Sequence, residues 1–168
     1  MNIILTGMMG SGKSETGKRL AKKLGMKFFD MDENLEKTTG MKINDIFKRK
    51  GEVWFRRLER NLVRCLCVLN GHVISTGGGV VLDKKNISDF RKNGTVVYLK
   101  AKPEVLFERV RASTIRPLLK VEEPLKELKI IYRRRKKLYE NCDFKIVTDG
   151  KGIDAVCAEI ISKMKKKP

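Results

Sequence analysis

The chain has 168 residues, enough for one sizeable hydrophobic core but not for two independent ones, so we expect a single domain over residues 1–168. Its 38 Lys and Arg against 20 Asp and Glu give a formal net charge of +18, which attracts anionic partners in general and selects none of them. The four cysteines and one histidine lack the spacing of a zinc site, and no apolar run approaches the ~18 residues of a membrane span. These features argue against a zinc-binding or membrane-spanning protein and predict a cytoplasmic one with reduced thiols.

The first predicted elements are a short apolar strand at Asn2–Thr6, a glycine-rich segment at 7–14 and a helix that ends before Gly25. The segment fits G-x-x-x-x-G-K-[ST] and lies between a strand and a helix, as this motif requires. Such a loop points backbone N–H groups at phosphate oxygens, while its lysine reaches the β and γ phosphates and its hydroxyl residue binds Mg²⁺. The residues expected to contact ATP here are Gly10, Ser11, Gly12, Lys13, Ser14 and Glu15. A glycine-rich turn that a lysine follows by chance is the alternative.

Four further apolar strands are predicted at residues 27–31, 72–76, 95–99 and 143–147, separated by segments with helical spacing. The longest helix is predicted over residues 53–70. Strands that alternate with helices indicate a three-layer α/β/α fold, in which a five-stranded parallel sheet has helices on both faces.

Two carboxylates, Asp30 and Asp32, fall where the second strand should end. At alternating positions both can face the phosphate loop across the end of the sheet, which is the usual ligand crevice of such folds. One carboxylate can then hold Mg²⁺, and the other can accept a proton from an attacking hydroxyl. The alternative is an acidic cap for the next helix, a role that suits Asp32 better than Asp30.

Four later motifs narrow the identity of the phosphate acceptor. They are G-E-x-x-F-R-x-x-E at residues 51–59, a triple glycine at 77–79, R-P-L-L at 116–119 and R-x-x-L-Y at 135–139. Together with the phosphate loop and D-x-D, their order and spacing resemble those of shikimate kinases over more than four-fifths of the chain. The resemblance implies a P-loop kinase fold with substrate-binding helices at about 32–60 and a mobile lid at about 110–124.

The resemblance also implies an activity: transfer of the γ-phosphoryl of ATP to the 3-hydroxyl of shikimate, in aromatic amino-acid biosynthesis, with Mg²⁺ as cofactor. It implies a monomer that binds small molecules and neither nucleic acid nor a membrane. Arg56 and Arg135 match the family's carboxylate-binding arginines, and a guanidinium suits a carboxylate because it donates two parallel hydrogen bonds. Asp32 matches the residue that contacts the substrate hydroxyls and acts as base, and Asp30 matches the residue near Mg²⁺. Glu59, one helical turn after Arg56, would hold that arginine.

The remaining matches lie on loops and on a later helix. Residues Gly77, Gly78 and Gly79 match the loop whose backbone approaches the substrate ring, where a Cβ would obstruct. Arg116 matches the lid residue that reaches the transferring phosphoryl group, and Arg109 matches the adenine-stacking arginine. Residues 110–115 lack the paired glycines common in the family, so a stiffer lid hinge is expected.

Several alternatives stay open. Arg56, Arg109 and Arg135 are each compatible with a solvated helix surface, and the basic run at 133–137 contains Arg135. The lysine-rich tail at 163–167 suits either a frayed helix end or a nucleic-acid arm. The rival functions are a gluconate or nucleoside monophosphate kinase, a basic P-loop protein that binds nucleic acid, and an inactive binding module.

Overall fold

The structure is a computed structural model that describes residues 1–111 and 123–166. In chain order its elements are β1 (Asn2–Thr6), α1 (Lys13–Leu24), β2 (Lys27–Asp30), α2 (Met31–Thr39), α3 (Ile43–Leu66), β3 (His72–Ser75), a 3₁₀ turn (Val80–Leu82), α4 (Lys84–Lys92), β4 (Gly94–Lys100), α5 (Pro103–Arg111), α6 (Pro124–Tyr139), β5 (Phe144–Val147) and α7 (Ile153–Lys165).

The five strands form one parallel sheet in the order β2-β3-β1-β4-β5, which confirms the predicted strands to within one residue at each end. In the central register Ile4 of β1 pairs with Ile74 of β3 and Val96 of β4. Because neighbouring strands β2, β3 and β1 all run the same way, the segments that follow them meet at one edge of the sheet. These segments contain the D-x-D pair, the triple glycine and the phosphate loop.

The sheet separates two hydrophobic layers, as the side-chain alternation along a strand requires. Ile3 and Leu5 of β1 pack with α1 and α7 on one face, whereas Ile4 packs with α3, α4, α5 and α6 on the other. The three-layer α/β/α prediction is therefore confirmed.

The helix predicted over residues 53–70 differs from the structure at both ends. The helical span α3 begins at Ile43 and ends at Leu66, and Gly51 interrupts it with a non-helical φ of 82° and ψ of 167°. This left-handed region admits glycine at low cost, so Gly51 joins two helical stretches across a kink. A small separate cluster of Leu35, Ile46 and Phe55 then packs α2 against α3.

Most of the predicted lid, residues 112–122 with Arg116, lies outside the described residues. In the described ranges, no helix combines the length and the apolar character needed to cross a membrane.

Candidate active site

The phosphate loop turns sharply into α1. Gly10 and Gly12 adopt left-handed φ values of 77° and 86°, and Gly12 is the N-cap of α1. The ammonium of Lys13 donates to the carbonyls of Gly7 at 2.9 Å and Met8 at 3.0 Å, so it is held against its own loop at the helix N-terminus. This concentration of positive potential and backbone N–H groups suits a polyphosphate.

The other two side chains expected at ATP differ in their environment. Ser11 is buried, and its Oγ makes no hydrogen bond within residues 1–111 and 123–166. Glu15 is exposed in the first turn of α1, with an oxygen 3.8 Å from the Lys18 ammonium. A buried hydroxyl without a partner is costly, so Ser11 is the better placed of the two for a phosphate oxygen.

Asp30 connects the second strand to the phosphate loop. Its Oδ2 accepts a 2.6 Å hydrogen bond from the Ser14 hydroxyl, and its Oδ1 accepts from the backbone N–H groups of Asp32 and Glu33. Asp30 is therefore the N-cap of α2. The expectation that capping suits Asp32 better is wrong, because the strand ends one residue earlier than predicted and α2 begins at Met31.

Asp32 belongs to the first turn of α2 and lies beside the triple-glycine loop. A Cβ added at Gly77 would lie 2.8 Å from its Oδ1 and 3.2 Å from Glu59 Oε1, so both carboxylates pack against this glycine. Of the two D-x-D carboxylates, Asp30 bonds to the phosphate loop, whereas Asp32 packs against the triple-glycine loop. The two carboxylates therefore have different surroundings.

Arg56 is held by two carboxylates of its own helix. It donates from Nη1 to Glu59 at 2.7 Å and from Nε and Nη2 to Glu52 at 3.2 and 3.1 Å. Its guanidinium also lies over the rings of Phe47 and Phe55, with Cζ 5.8 and 5.2 Å from the ring centroids. Arg56 is thus a fixed cation beside the triple-glycine loop rather than a solvated helix-surface residue.

Glu59 is the buried member of this pair, only 2% exposed. Burial raises the pKa of its carboxyl, and the nearby Asp32 charge acts in the same direction, while Arg56 and Arg135 partly oppose the rise. A buried carboxylate directed at an arginine costs desolvation energy, so the contact between Glu59 and Arg56 fixes the arginine at that cost.

The triple-glycine loop approaches the site residues closely at two of its three positions. A Cβ at Gly79 would lie 2.7 Å from Arg56 Cζ, and one at Gly77 would collide with Asp32. At Gly78 the nearest atoms, Met9 N at 3.6 Å and Gly7 O at 3.7 Å, are at ordinary contact distance. The loop therefore packs against the phosphate loop through Gly78, against Asp32 and Glu59 through Gly77, and against Arg56 through Gly79.

Arg135 of α6 reaches this loop, with Nη1 3.3 Å from the Gly78 carbonyl oxygen. Tyr139, one turn later, also donates its hydroxyl to that carbonyl. Arg135 therefore faces the triple-glycine loop, whereas its neighbours Arg133, Arg134, Lys136 and Lys137 are exposed. Its contact and lower exposure thus distinguish Arg135 from the other basic residues of the run at 133–137.

Arg109 bonds to the far side of the phosphate loop. It donates to the Thr148 hydroxyl at 3.0 Å and carbonyl at 2.8 Å, and its Nη1 lies 3.4 Å from the Gly10 carbonyl oxygen. The guanidinium thus bridges α5, the end of β5 and the nucleotide loop, although the residue as a whole is exposed.

Two residues of the site were not singled out from the sequence. The buried Ser75 at the end of β3 has its Oγ 3.3 Å from Ser14 Oγ, and Tyr139 binds Gly78. The available signals were the position of Ser75 at a strand end beside the glycines, and the last letter of the R-x-x-L-Y motif. Neither signal indicates which atoms meet.

A phosphate-binding loop packed against a glycine loop, which is itself in contact with carboxylates and arginines of three helices, makes this chain a P-loop kinase of the small-molecule type. The family model described as shikimate kinase matches residues 9–165. The chain belongs to the shikimate kinase family. This excludes the gluconate and nucleoside monophosphate kinase alternatives.

Relatives and a solved structure agree. The shikimate kinase of Thermodesulfovibrio yellowstonii is 43% identical over 165 residues, which cover 98% of this chain and 95% of that protein. The shikimate kinase of Persephonella marina is 43% identical over 164 residues, covering 98% and 99%. Shikimate kinase from Acinetobacter baumannii in complex with shikimate has a TM-score of 0.94 at 34% identity, covering 98% of this chain and 93% of that one.

Proposed function

We propose that this chain transfers the γ-phosphoryl group of ATP to the 3-hydroxyl of shikimate, giving shikimate 3-phosphate and ADP, in aromatic amino-acid biosynthesis. The observation that carries the proposal is the Arg56–Glu59 pair, joined at 2.7 Å, with Arg56 packed against Gly79 and Glu59 packed with Asp32 against Gly77. A positioned guanidinium suits a carboxylate, and a nearby acidic side chain suits a hydroxyl, so this pocket fits a hydroxylated carboxylic acid.

Phosphoryl transfer needs mainly positioning and charge stabilisation from the protein. Lys13 would donate to the β and γ phosphates, leaving the loop carbonyls that it now contacts, and the unpaired Ser11 hydroxyl would serve the same phosphates. Asp32 would accept or orient the acceptor hydroxyl, while Arg56 and Arg135 would bind the carboxylate. In this arrangement the acceptor hydroxyl and the γ-phosphoryl group would lie at adjacent loops of the sheet edge.

The proposed metal ion is Mg²⁺. The hydroxyl of Ser14 and Oδ2 of Asp30 lie 2.6 Å apart at the helix N-terminus, and both are the hard oxygen donors that Mg²⁺ prefers. These two residues would hold the ion with the nucleotide phosphates, and the ion would neutralise charge on them. Ser75, 3.3 Å from Ser14, would accept or donate in the surrounding hydrogen-bond shell.

Arg116 and the rest of the lid complete the proposal from the sequence resemblance alone. In that role Arg116 would reach the transferring phosphoryl group, and closure would exclude water, which otherwise hydrolyses ATP. The same proposal describes a cytoplasmic monomer.

The test is ADP release from Mg-ATP in a coupled assay, with shikimate, gluconate or CMP at equal concentration. We expect strong stimulation by shikimate alone. Stimulation by another acceptor would contradict the proposed substrate. If no acceptor stimulates ADP release, only the proposal of nucleotide binding is retained. A polyanion such as heparin, added as a competitor, separates the nucleic-acid alternative: strong inhibition that is competitive with shikimate would favour a polyanion surface at this site.

A further inference from the structure

Two donors from α6 meet at one acceptor of the glycine loop. The Tyr139 hydroxyl and Arg135 Nη1 both donate to the Gly78 carbonyl oxygen, Arg135 at 3.3 Å. They are four residues apart on α6, so they lie on the same side of the helix. The carbonyl belongs to the loop that also contacts Asp32 and Arg56 through its neighbouring glycines.

The Tyr139 hydroxyl is held firmly in place. The residue is 1% exposed, its ring stacks on Tyr98 with centroids 5.1 Å apart and planes 12° apart, and its oxygen lies 3.4 Å from Met8 Sδ of the phosphate loop. Burial raises the pKa of Tyr139 to about 12, while the nearby Arg135 and Arg56 partly oppose the rise. The phenol is therefore protonated at neutral pH and has one proton to donate, which the carbonyl accepts better than a thioether.

The Arg135 contact is weaker by comparison. At 3.3 Å it is longer than the usual 2.7–3.2 Å range of an N–H···O hydrogen bond, whereas the phenol is in close contact with the same oxygen. A carbonyl oxygen has two lone pairs, and the phenol occupies one of them. Without that hydroxyl, the long Arg135 contact alone would have to hold the half-buried carbonyl, so the loop oxygen and the guanidinium would both be less well fixed.

We propose that Tyr139 is a positioning residue for the carboxylate end of the acceptor pocket: its hydroxyl holds the Gly78 carbonyl, and the Arg135 guanidinium, which shares this oxygen, is thereby kept in place for the substrate carboxylate. The inference rests on the proposed function, since it assumes that Arg135 binds that carboxylate. It assigns to the tyrosine of R-x-x-L-Y a role in acceptor affinity, exerted through Arg135 and not through contact with the substrate.

The first experiment compares Tyr139→Phe with the wild type by calorimetric titration of shikimate and by steady-state kinetics. Phenylalanine keeps the ring that stacks on Tyr98 and removes only the oxygen. We expect the shikimate Kd and KM to rise about 3- to 10-fold, as loss of one hydrogen bond predicts, with the KM for ATP and kcat within about twofold of wild type. The matched control is Tyr132→Phe, half-buried on the same helix, which should leave shikimate affinity unchanged.

A merely structural role would lower kcat and both affinities together, or would affect both tyrosine variants equally, and either result overturns the inference. The inference is also overturned if the wild type binds shikimate and Tyr139→Phe binds it with the same affinity. A wild type that binds ATP but no shikimate overturns the proposed function, and this inference with it, so the two failures are distinguishable.

A double-mutant cycle tests the route through Arg135. If Tyr139 acts by positioning that guanidinium, Tyr139→Phe in an Arg135→Gln background should cause less than a twofold further loss of shikimate affinity. Losses that multiply independently overturn the proposed route, because they show that Tyr139 acts without Arg135.

Discussion

The phosphate loop and the acceptor pocket occupy one edge of the sheet but are built in different ways. The phosphate side comes from the consecutive residues 7–14, and its main features are backbone turns and a lysine bonded to its own loop. The acceptor side joins the start of α2, the middle of α3, the glycine loop and the end of α6 through side-chain contacts. The phosphate loop is thus local in sequence, whereas the proposed acceptor site depends on how four distant segments pack.

The largest effect is expected from a substitution that impairs the phosphate loop alone. Lys13→Ala should lower kcat by about 10²- to 10³-fold, because one preorganised charged donor to the transferring group is lost. Shikimate affinity, measured by calorimetry without nucleotide, should stay within about threefold of wild type. A comparable loss of shikimate binding would show that the two sides are not independent.

The next largest effect is expected from a substitution that impairs the proposed acceptor site. Arg56→Ala should raise the shikimate KM by about 10- to 100-fold, which corresponds to loss of charged hydrogen bonds worth about 1.5–3 kcal/mol. The KM for ATP should change little, as steady-state kinetics with each substrate varied will measure. Arg57→Ala is the control, since Arg57 is exposed on the same helix. Equal effects of the two substitutions would remove Arg56 from the pocket.

A steric substitution in the glycine loop tests the proposed acceptor site without removing a charge. Gly79→Ala keeps every charge but places a methyl group 2.7 Å from Arg56 Cζ, so the guanidinium must move. We expect the shikimate KM to rise by about 10-fold, because displacement of a positioning group by about 1 Å is costly. Gly152→Ala, where an added Cβ meets no atom within 4 Å, should leave that KM unchanged. A normal KM for Gly79→Ala would mean that Arg56 has room to adapt.

The smallest expected effect concerns pH and stability. The pKa of Glu59 is raised above its ordinary value of 4.5 because of burial, so the folded state binds this proton more readily than the unfolded chain does. Its contribution to stability is present below that ordinary pKa and is lost as the pH rises through the raised one. Relative to Glu59→Gln, the wild type should therefore lose unfolding free energy over this window, as denaturant titrations at several pH values will measure. The opposite trend would mean that the ion pair with Arg56 outweighs burial.

Local patterns were enough to predict the strands, because each is a short apolar run bounded by a turn or a helix. The long helix was harder to place. The helical conformation of residues 43–50 and the kink at Gly51 depend on packing of Leu35, Ile46 and Phe55. These three residues do not belong to one periodic stretch of sequence. The sequence located the D-x-D carboxylates at the end of β2 but did not assign the N-cap of α2 to Asp30, because the strand ends one residue earlier than predicted.

By itself, the sequence determined the α/β architecture, the phosphate loop and the family, because these depend on contiguous residues, periodic apolar positions and ordered motifs. Only the tertiary structure decided that Ser75 lies beside Ser14, that Asp30 and Asp32 contact different loops, and that Arg135 and Tyr139 converge on Gly78. The physical reason is that hydrogen bonds form or fail within a few tenths of an ångström, and distances between remote segments are set by packing of the whole core.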